Sequence, residues 1–397
     1  MTKRIFILSL LIAVSLSAFA QTVKRSTQCA VKTGAESLEE YLPLLKGKKV
    51  AVLTNQTGII GKTHLVDSLV SLGINVVAIL SPEHGFRGEA DAGEHVASSV
   101  DEKTGIPIKS LYEGNTGKPA ASLMKEIDVM VYDLQDVGVR FYTYLTTMAR
   151  MMEACAQSKV KMIILDRPNP IGFYVDGPIL DMKYKSGVGW LPIPTVHGMT
   201  LGELAGMING EKWLDKGIQC NVTVIKNKNY THATLYELPV KPSPNLPDMR
   251  SIYLYPSTCY FEATPVSLGR GTDKAFQMYG HPNMKGYDFK FTPRSIPGAK
   301  FPPLLNEECY GVDLRTKPSI EEINKAGINL DYVIDAYTNL NLDDHFFRSF
   351  FELLIGQDYV RKMIKQGKSS AEIKAMWASD VEKFKIQRKP YLLYPEN

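Results

Sequence analysis

The chain has 397 residues, 44% of them hydrophobic, and a formal net charge of +4. That length allows two domains, and the near-neutral balance excludes the basic footprint of a nucleic-acid binder. Five cysteines (Cys29, Cys155, Cys220, Cys259, Cys309) are spread far apart with no CxxC spacing, so at most two disulfides can form and one thiol is left over.

The first twenty residues read as a secretory leader. Lys3 and Arg4 form its positive end, residues 5–16 its short apolar core, and Ala18-Phe19-Ala20 its small-x-small cleavage site. Cleavage after Ala20 would make Gln21 the new N-terminus and lower the net charge by two. The apolar stretch is too short for an ordinary membrane span, and no later segment is longer and as apolar. Ser26-Thr27-Gln28 before Cys29 argues against a lipid anchor. The expectation is an exported protein without a membrane span, periplasmic or secreted.

Residues 21–35 are polar and read as a loose tail. Helical spacing follows at 37–42, and 48–54 is a continuous apolar run, the first buried strand. A short helix is predicted at 65–72, closed by Gly73. A second strand at 75–80 runs into Ser81-Pro82-Glu83-His84-Gly85-Phe86-Arg87-Gly88. A weak strand at 106–111 and a helix at 120–127 come next. The strand at 128–132 ends in Asp133-Leu134-Gln135-Asp136-Val137-Gly138. An amphipathic helix spans 143–158, in which Cys155 reads as a buried thiol. The strand at 161–165 ends in Asp166-Arg167-Pro168-Asn169-Pro170. A helix at 199–208 carries Thr200 as cap with Glu203 three residues on. Strand, helix, strand at this spacing predicts a parallel sheet with right-handed crossovers.

Beyond residue 210 the texture changes. Residues 220–225 alternate like a strand, and 239–302 are rich in proline, glycine and aromatics with few helical signals. Helices return at 319–326, 330–338, 345–354, 360–366 and 370–385. The prediction is an α/β fold: a Rossmann-like parallel sheet domain over 36–205 and a smaller α+β domain over 206–397, with the active site in the cleft between them.

Two familiar motifs are excluded. Gln56 to Thr63 sits where a phosphate loop would, but Gln56 occupies the position that needs glycine. The first strand-to-helix turn lacks GxGxxG, so no nicotinamide cofactor is expected, and none of any other kind. His84, His95, Asp133 and His197 match no metal-ligand spacing, and no GxSxG nucleophile turn occurs.

The strongest signal is positional. Glu83, Asp133, Asp136 and Asp166 each stand just past the carboxyl end of a predicted parallel strand. Those ends share one edge, so the four acids should line one crevice. Mutual repulsion would raise at least one carboxyl pKa, and one protonated plus one ionised carboxyl is what glycosidic cleavage requires. The competing account is that one or two of them cap helices or pair with Arg87, Arg140 or Arg167. Tyr132, Phe141, Tyr142 and Tyr144 are either sugar platforms or buried core. Arg87 and Arg140 could hold an anionic substituent. Asn55 and Gln56 face the same edge, and His197 reads as a polar group of the cleft. From the second domain, Asn245 in Pro242-Ser243-Pro244-Asn245-Leu246-Pro247 offers an amide. Glu262, a lone acid in an aromatic run, and Arg270 are expected to face the crevice.

Taken in order, residues 53–58, 81–88, 133–144, 166–170, 197–200, 242–247 and 262–272 resemble the NamZ (YbbC-like) exo-β-N-acetylmuramidases. The resemblance runs from about residue 40 to the C-terminus. It implies a glycoside hydrolase of peptidoglycan turnover that releases N-acetylmuramic acid (MurNAc) from the non-reducing end of fragments such as MurNAc–GlcNAc. It also implies that Glu83 of the Ser-Pro-Glu-His-Gly motif is the catalytic candidate, and its expected role is general acid/base. Glu262 and Asp133 then compete for the second catalytic role. Asn55, His84, Arg87, Gln135, Asp136, Arg140, Tyr142, Asp166, Asn169, His197, Asn245 and Arg270 are the expected substrate binders. Retaining, inverting and substrate-assisted routes all stay open. The rival readings are a non-catalytic exported sugar-binding protein and a metal-dependent hydrolase of another wall bond.

Overall fold

The computed structural model describes residues 30–82, 86, 99–111 and 119–397. Glu83, His84, Arg87, His95, Cys29 and the expected leader lie outside the described residues.

The chain enters through α1 (Leu38–Leu45) and β1 (Val50–Thr54), which is buried along its whole length. The segment that mimics a phosphate loop is a small hairpin, β2 (Ile59–Ile60) and β3 (Thr63–His64), turning at Gly61 with φ +58°. His64 then caps α2 (Leu65–Ser71), its Nδ1 accepting the Val66 N–H. β4 (Val76–Ser81), β5 (Ser99–Val100), β6 (Pro107–Ser110), α3 (Ala121–Glu126), β7 (Val129–Asp133), α4 (Tyr144–Ser158), β8 (Lys161–Leu165), α5 (Leu201–Gly210) and β9 (Val222–Ile225) follow.

Among the described residues seven strands form one sheet in the order β5-β6-β4-β1-β7-β8-β9. Every neighbour pair is parallel except β5 with β6. Leu53 lies opposite Leu80, and Thr54 opposite Asp133. The chain first winds outward from β1 to β4 and β6, then restarts on the other side at β7. The reversal puts the topological switch point between β1 and β7, where such sheets open a crevice at their carboxyl edge.

Both faces are covered, as near-continuous apolar strands require. Val50, Val52, Ile79, Val131 and Ile163 face α1 and α2. Ala51, Leu53, Met130, Tyr132 and Ile164 face the opposite way, against α4 and α5. That second core continues into the rest of the chain through Tyr260, Phe261, Phe276 and Phe351. The smaller domain is therefore docked on the sheet through a shared apolar core.

The smaller domain begins with α6 (Met249–Thr258) and a 3-10 turn, Cys259–Ala263. Strands β10 (Met278–His281), β11 (Phe289–Phe291) and β12 (Cys309–Asp313) form an antiparallel sheet in the order β10-β12-β11. Helices α7 (Ile320–Ala326), α8 (Asp331–Leu340), α9 (Phe350–Ile355), α10 (Tyr359–Lys365) and α11 (Ser370–Arg388) complete it. α6 was not expected. Residues 251–258 within it are all buried, so the helix has no polar stripe to mark it, and Pro256 disguises it further.

A boundary at residue 205 also needs correction. β9 lies beyond it yet closes one edge of the main sheet. The C-terminal segment returns too, where Tyr394 donates its hydroxyl to Asp166 at 2.6 Å. Cys155, Cys220, Cys259 and Cys309 are buried free thiols.

Candidate active site

The floor of the crevice is built at the switch point. Asn55, the first residue past β1, is fully buried. Its Oδ1 accepts from the Thr57 N–H at 2.9 Å and the Thr57 hydroxyl at 2.6 Å, while its Nδ2 donates to the Tyr144 hydroxyl at 2.6 Å. The amide therefore ties the β1 turn to the start of α4. Gly58 completes the turn, because a Cβ there would stand 2.0 Å from Thr54 Oγ1. Gln56 reaches across to the carbonyls of Lys241 and Pro242 at 3.2 and 3.3 Å.

Several expected site residues are occupied by the fold instead. Asp133 forms a two-point ion pair with Arg167, Nε to Oδ1 at 2.5 Å and Nη2 to Oδ2 at 3.0 Å. The two side chains are 0% and 3% exposed, so Asp133 is sealed from ligand and the catalytic expectation for it is corrected. Arg140 is corrected more sharply. Its guanidinium is buried and donates to four carbonyls, those of Pro178, Ile193, Leu354 and Ile355, at 2.7–3.0 Å. It clasps the loop after β8 to α9 and presents no donor to a crevice.

Asp166 anchors the start of α5. Its carboxylate accepts from Thr200 Oγ1 at 2.7 Å, the Gly202 N–H at 2.9 Å and Tyr394. Burial pushes its pKa up to about 6 against those bonds. Asn169 is likewise enclosed, donating to the Met199 carbonyl and accepting from the Ile171 N–H, both at 2.9 Å. Gln135 donates to the carbonyls of Asp136 and Pro168 at 2.8 Å. These three were expected as binders, and their polar atoms serve the loops after β7 and β8.

Asp136 and His197 form a different kind of pair. Both are buried, with His197 Nε2 4.0 Å from Asp136 Oδ2. Asp136 Oδ2 accepts the Gly138 N–H at 2.7 Å, while Oδ1 and His197 Nε2 have no hydrogen-bond partner among the described residues. Burial raises the Asp136 pKa to about 7. Burial, helped by the Arg388 and Arg140 cations, lowers that of His197 to about 3. At neutral pH the imidazole is uncharged.

Open space lies beside this floor, where the smaller domain faces it. A cavity of about 310 Å³ is lined by Tyr142, Tyr144, Asn245, Tyr255, Glu262 and Arg270, with other apolar groups. A second cavity of about 600 Å³ shares Glu262 and Arg270 with it. Tyr142 and Tyr144 stand edge to face, 4.7 Å between ring centres, and Tyr142 donates to the Pro242 carbonyl at 2.9 Å. Asn245 is held by the Gly298 carbonyl at 2.9 Å. The structure thus gathers four expected residues, Tyr142, Asn245, Glu262 and Arg270, around one space.

At the junction of the two cavities Arg270 donates through Nη2 at 2.5 Å and Nε at 3.2 Å, and both bonds fall on Glu262 Oε1. Glu262 Oε2 takes no hydrogen bond among the described residues. The side chains are 24% and 22% exposed, open enough to meet a ligand. Sequence reasoning missed Tyr255, which sits on the unrecognised α6, and Arg348, which lies just before α9 and lines the larger cavity. Their partners are distant in the chain, so no local pattern announces them. Among the described residues no group of three His, Cys, Asp or Glu side chains gathers as a metal site would need. No described helix is long and apolar enough to cross a membrane.

A doubly wound sheet, a crevice at its switch point, and a facing domain that brings a carboxylate into an aromatic cavity define a two-domain α/β enzyme. Comparison with known proteins supplies the family. The N-terminal domain of exo-β-N-acetylmuramidase NamZ matches residues 50–250 and the C-terminal domain residues 253–394. The peptidoglycan β-N-acetylmuramidase NamZ of Bacillus subtilis (strain 168) is 39% identical over 94% of this chain and 93% of its own length. Among solved structures, a DUF1343 family protein from Bacteroides fragilis is 62% identical, with TM-score 0.87 over 93% of this chain and all of that one. Another from the same organism is 31% identical, with TM-score 0.77 over 92% of this chain and 99% of its own. The chain belongs to the NamZ exo-β-N-acetylmuramidase family. The matched domains meet near residue 250, where α6 begins.

Proposed function

We propose that this protein is an exo-acting β-N-acetylmuramidase that releases MurNAc from the non-reducing end of peptidoglycan fragments, with MurNAc–GlcNAc as its minimal substrate. The observation that carries this reading is the near-full-length match to a relative named for that activity. The site supports it in kind. Tyrosine faces around a small cavity suit the apolar side of a sugar ring. Glu262 brings a carboxylate to it with one oxygen uncommitted. Glycosidic cleavage needs a proton for the leaving oxygen and a second group at the anomeric carbon. Glu83 is assigned the first role on its motif. Glu262 is assigned the second, either attacking directly or steering the acetamido group of the substrate. The protein acts in the periplasm or outside the cell, a location supported by the leader pattern at residues 1–20.

The test is incubation with MurNAc–GlcNAc and with a chromogenic β-muramide. Release of free MurNAc is expected, and NMR of the first anomer formed reports retention or inversion. Tight binding of the disaccharide with no product after long incubation would refute the reading. Glu83→Gln should lose at least about a hundredfold in kcat. Parent-like turnover would remove Glu83 from its role.

A further inference from the structure

The larger cavity has a charge imbalance that the ring-binding space does not need. Glu262 is matched by Arg270, which leaves Arg348 on the same wall without a carboxylate. Its guanidinium makes no hydrogen bond or ion pair among the described residues. Its backbone is nonetheless well placed: the Arg348 N–H donates to the Ala263 carbonyl at 2.9 Å, one residue past Glu262. The Glu262 turn and Arg348 are thereby held together as one wall. The rest of the lining is mostly apolar, including Phe261, Val266, Leu268 and Pro302, with Thr264 and a further cation, Lys300, among it. Phe301 stands on it 89% exposed, a large aromatic face turned to solvent. A cation beside apolar walls suits a carboxylate carried on a short apolar stem. A guanidinium recognises such a group through two parallel N–H donors. Of the three arginines expected to do this, Arg87 lies outside the described residues, Arg140 directs its terminal nitrogens to carbonyls and Arg270 bonds to Glu262.

We propose that the larger cavity is the subsite for the carboxylate-bearing ether substituent of the muramyl ring, and that Arg348 is its specificity-determining residue. The inference rests on the activity proposed above. The ring occupies the smaller cavity, and the Glu262–Arg270 pair stands at the boundary between ring and substituent. A sugar lacking the substituent would fill only the first space and leave Arg348 unmatched. Two sources can supply the carboxylate, the lactyl group itself or the acidic residue of a peptide stem attached to it.

The experiment compares three chromogenic β-muramides on the full chain: the free lactyl acid, its uncharged methylamide, and the acid extended by an Ala-Glu dipeptide. The parent should prefer the acid over the methylamide. Arg348→Ala should collapse that preference by about tenfold to a hundredfold, mainly through KM, and Arg348→Lys should restore part of it. Arg348 is exposed, so the fold does not depend on it. If the dipeptide substrate also depends on Arg348, the cavity accepts a stem carboxylate; if only the free acid does, the lactyl group is the ligand. Either pattern upholds the subsite. An unchanged preference ratio in Arg348→Ala overturns it. Calorimetric binding of free MurNAc against GlcNAc separates this outcome from failure of the activity itself. A parent that hydrolyses nothing refutes the activity, while loss of the MurNAc preference in Arg348→Ala still upholds the subsite and its persistence overturns it.

Discussion

Two carboxylate–guanidinium pairs, Asp133–Arg167 and Glu262–Arg270, share the same chemistry and the same shortest distance, 2.5 Å. They differ in access. The first sits at the end of β7, sealed under the β2–β3 hairpin, where Arg167 also donates to the Ile59 carbonyl. Both carboxylate oxygens are used. The second sits between two cavities with one oxygen uncommitted. Charge at a strand end does not identify a catalytic group; a carboxylate becomes usable when its remaining oxygen faces space a substrate can enter. Desolvation costs enter oppositely. The buried pair must be complete to be tolerated, whereas the open pair can exchange a partner for a ligand.

The largest effect expected from this contrast is on stability. Asp133→Asn should cost about 3–5 kcal/mol, because Arg167 is left charged and buried without its counter-ion. Replacing both residues by apolar side chains of similar volume should cost much less. Chemical denaturation of the single and double variants checks this, and equal losses would erase the distinction. Glu262→Gln should do the reverse. Activity on the chromogenic muramide should fall by about a hundredfold or more, while stability changes by no more than about 1 kcal/mol. A large stability loss with intact turnover would place Glu262 in the same class as Asp133.

A third carboxylate, Asp136, is buried beside the neutral His197 rather than a cation, and its signature is pH dependence. In the unfolded chain it loses its proton near pH 4, roughly the ordinary value. In the fold it holds the proton to about pH 7. Between those values unfolding releases a proton, so rising pH weakens the fold. Asp136→Asn removes that penalty. Relative to the parent, the variant should gain about 1–3 kcal/mol between pH 4.5 and pH 8, read from urea midpoints. The depressed pKa of His197 acts with the opposite sign, and its share cancels in the comparison where the neutral imidazole is common to both proteins. The smallest effect belongs to Tyr142→Phe. It removes the donor to the Pro242 carbonyl and should cost about 0.5–1.5 kcal/mol. A shift in KM for the muramide would show that the hydroxyl also serves the ligand.

Much of the first domain was legible because its signals are local. Continuous apolar runs at 50–54, 129–133 and 161–165 can only be strands covered on both faces, and Thr200 with Glu203 spells a capping box that the fold forms. The same periodicity located four of the five C-terminal helices closely. The predicted helix at 345–354 breaks into a 3-10 turn at Asp343–His345 and a shorter α9. α6 escaped notice because its residues 251–258 are all buried and leave no polar stripe, and the small antiparallel sheet because its strands are only three to five residues long. The motifs were legible as a set, and the family they imply is the one the chain belongs to.

What the linear pattern could state was which residue types stand at each strand end, because chain geometry forces parallel strands to present their carboxyl ends together. Which of those groups reach a ligand was settled by contacts between segments far apart in the chain. Asp166 is taken by Tyr394 and Arg140 by the carbonyls of Leu354 and Ile355, while Arg348 is delivered beside Glu262. Hydrogen-bonding capacity is finite, and only the folded chain shows where it has been used.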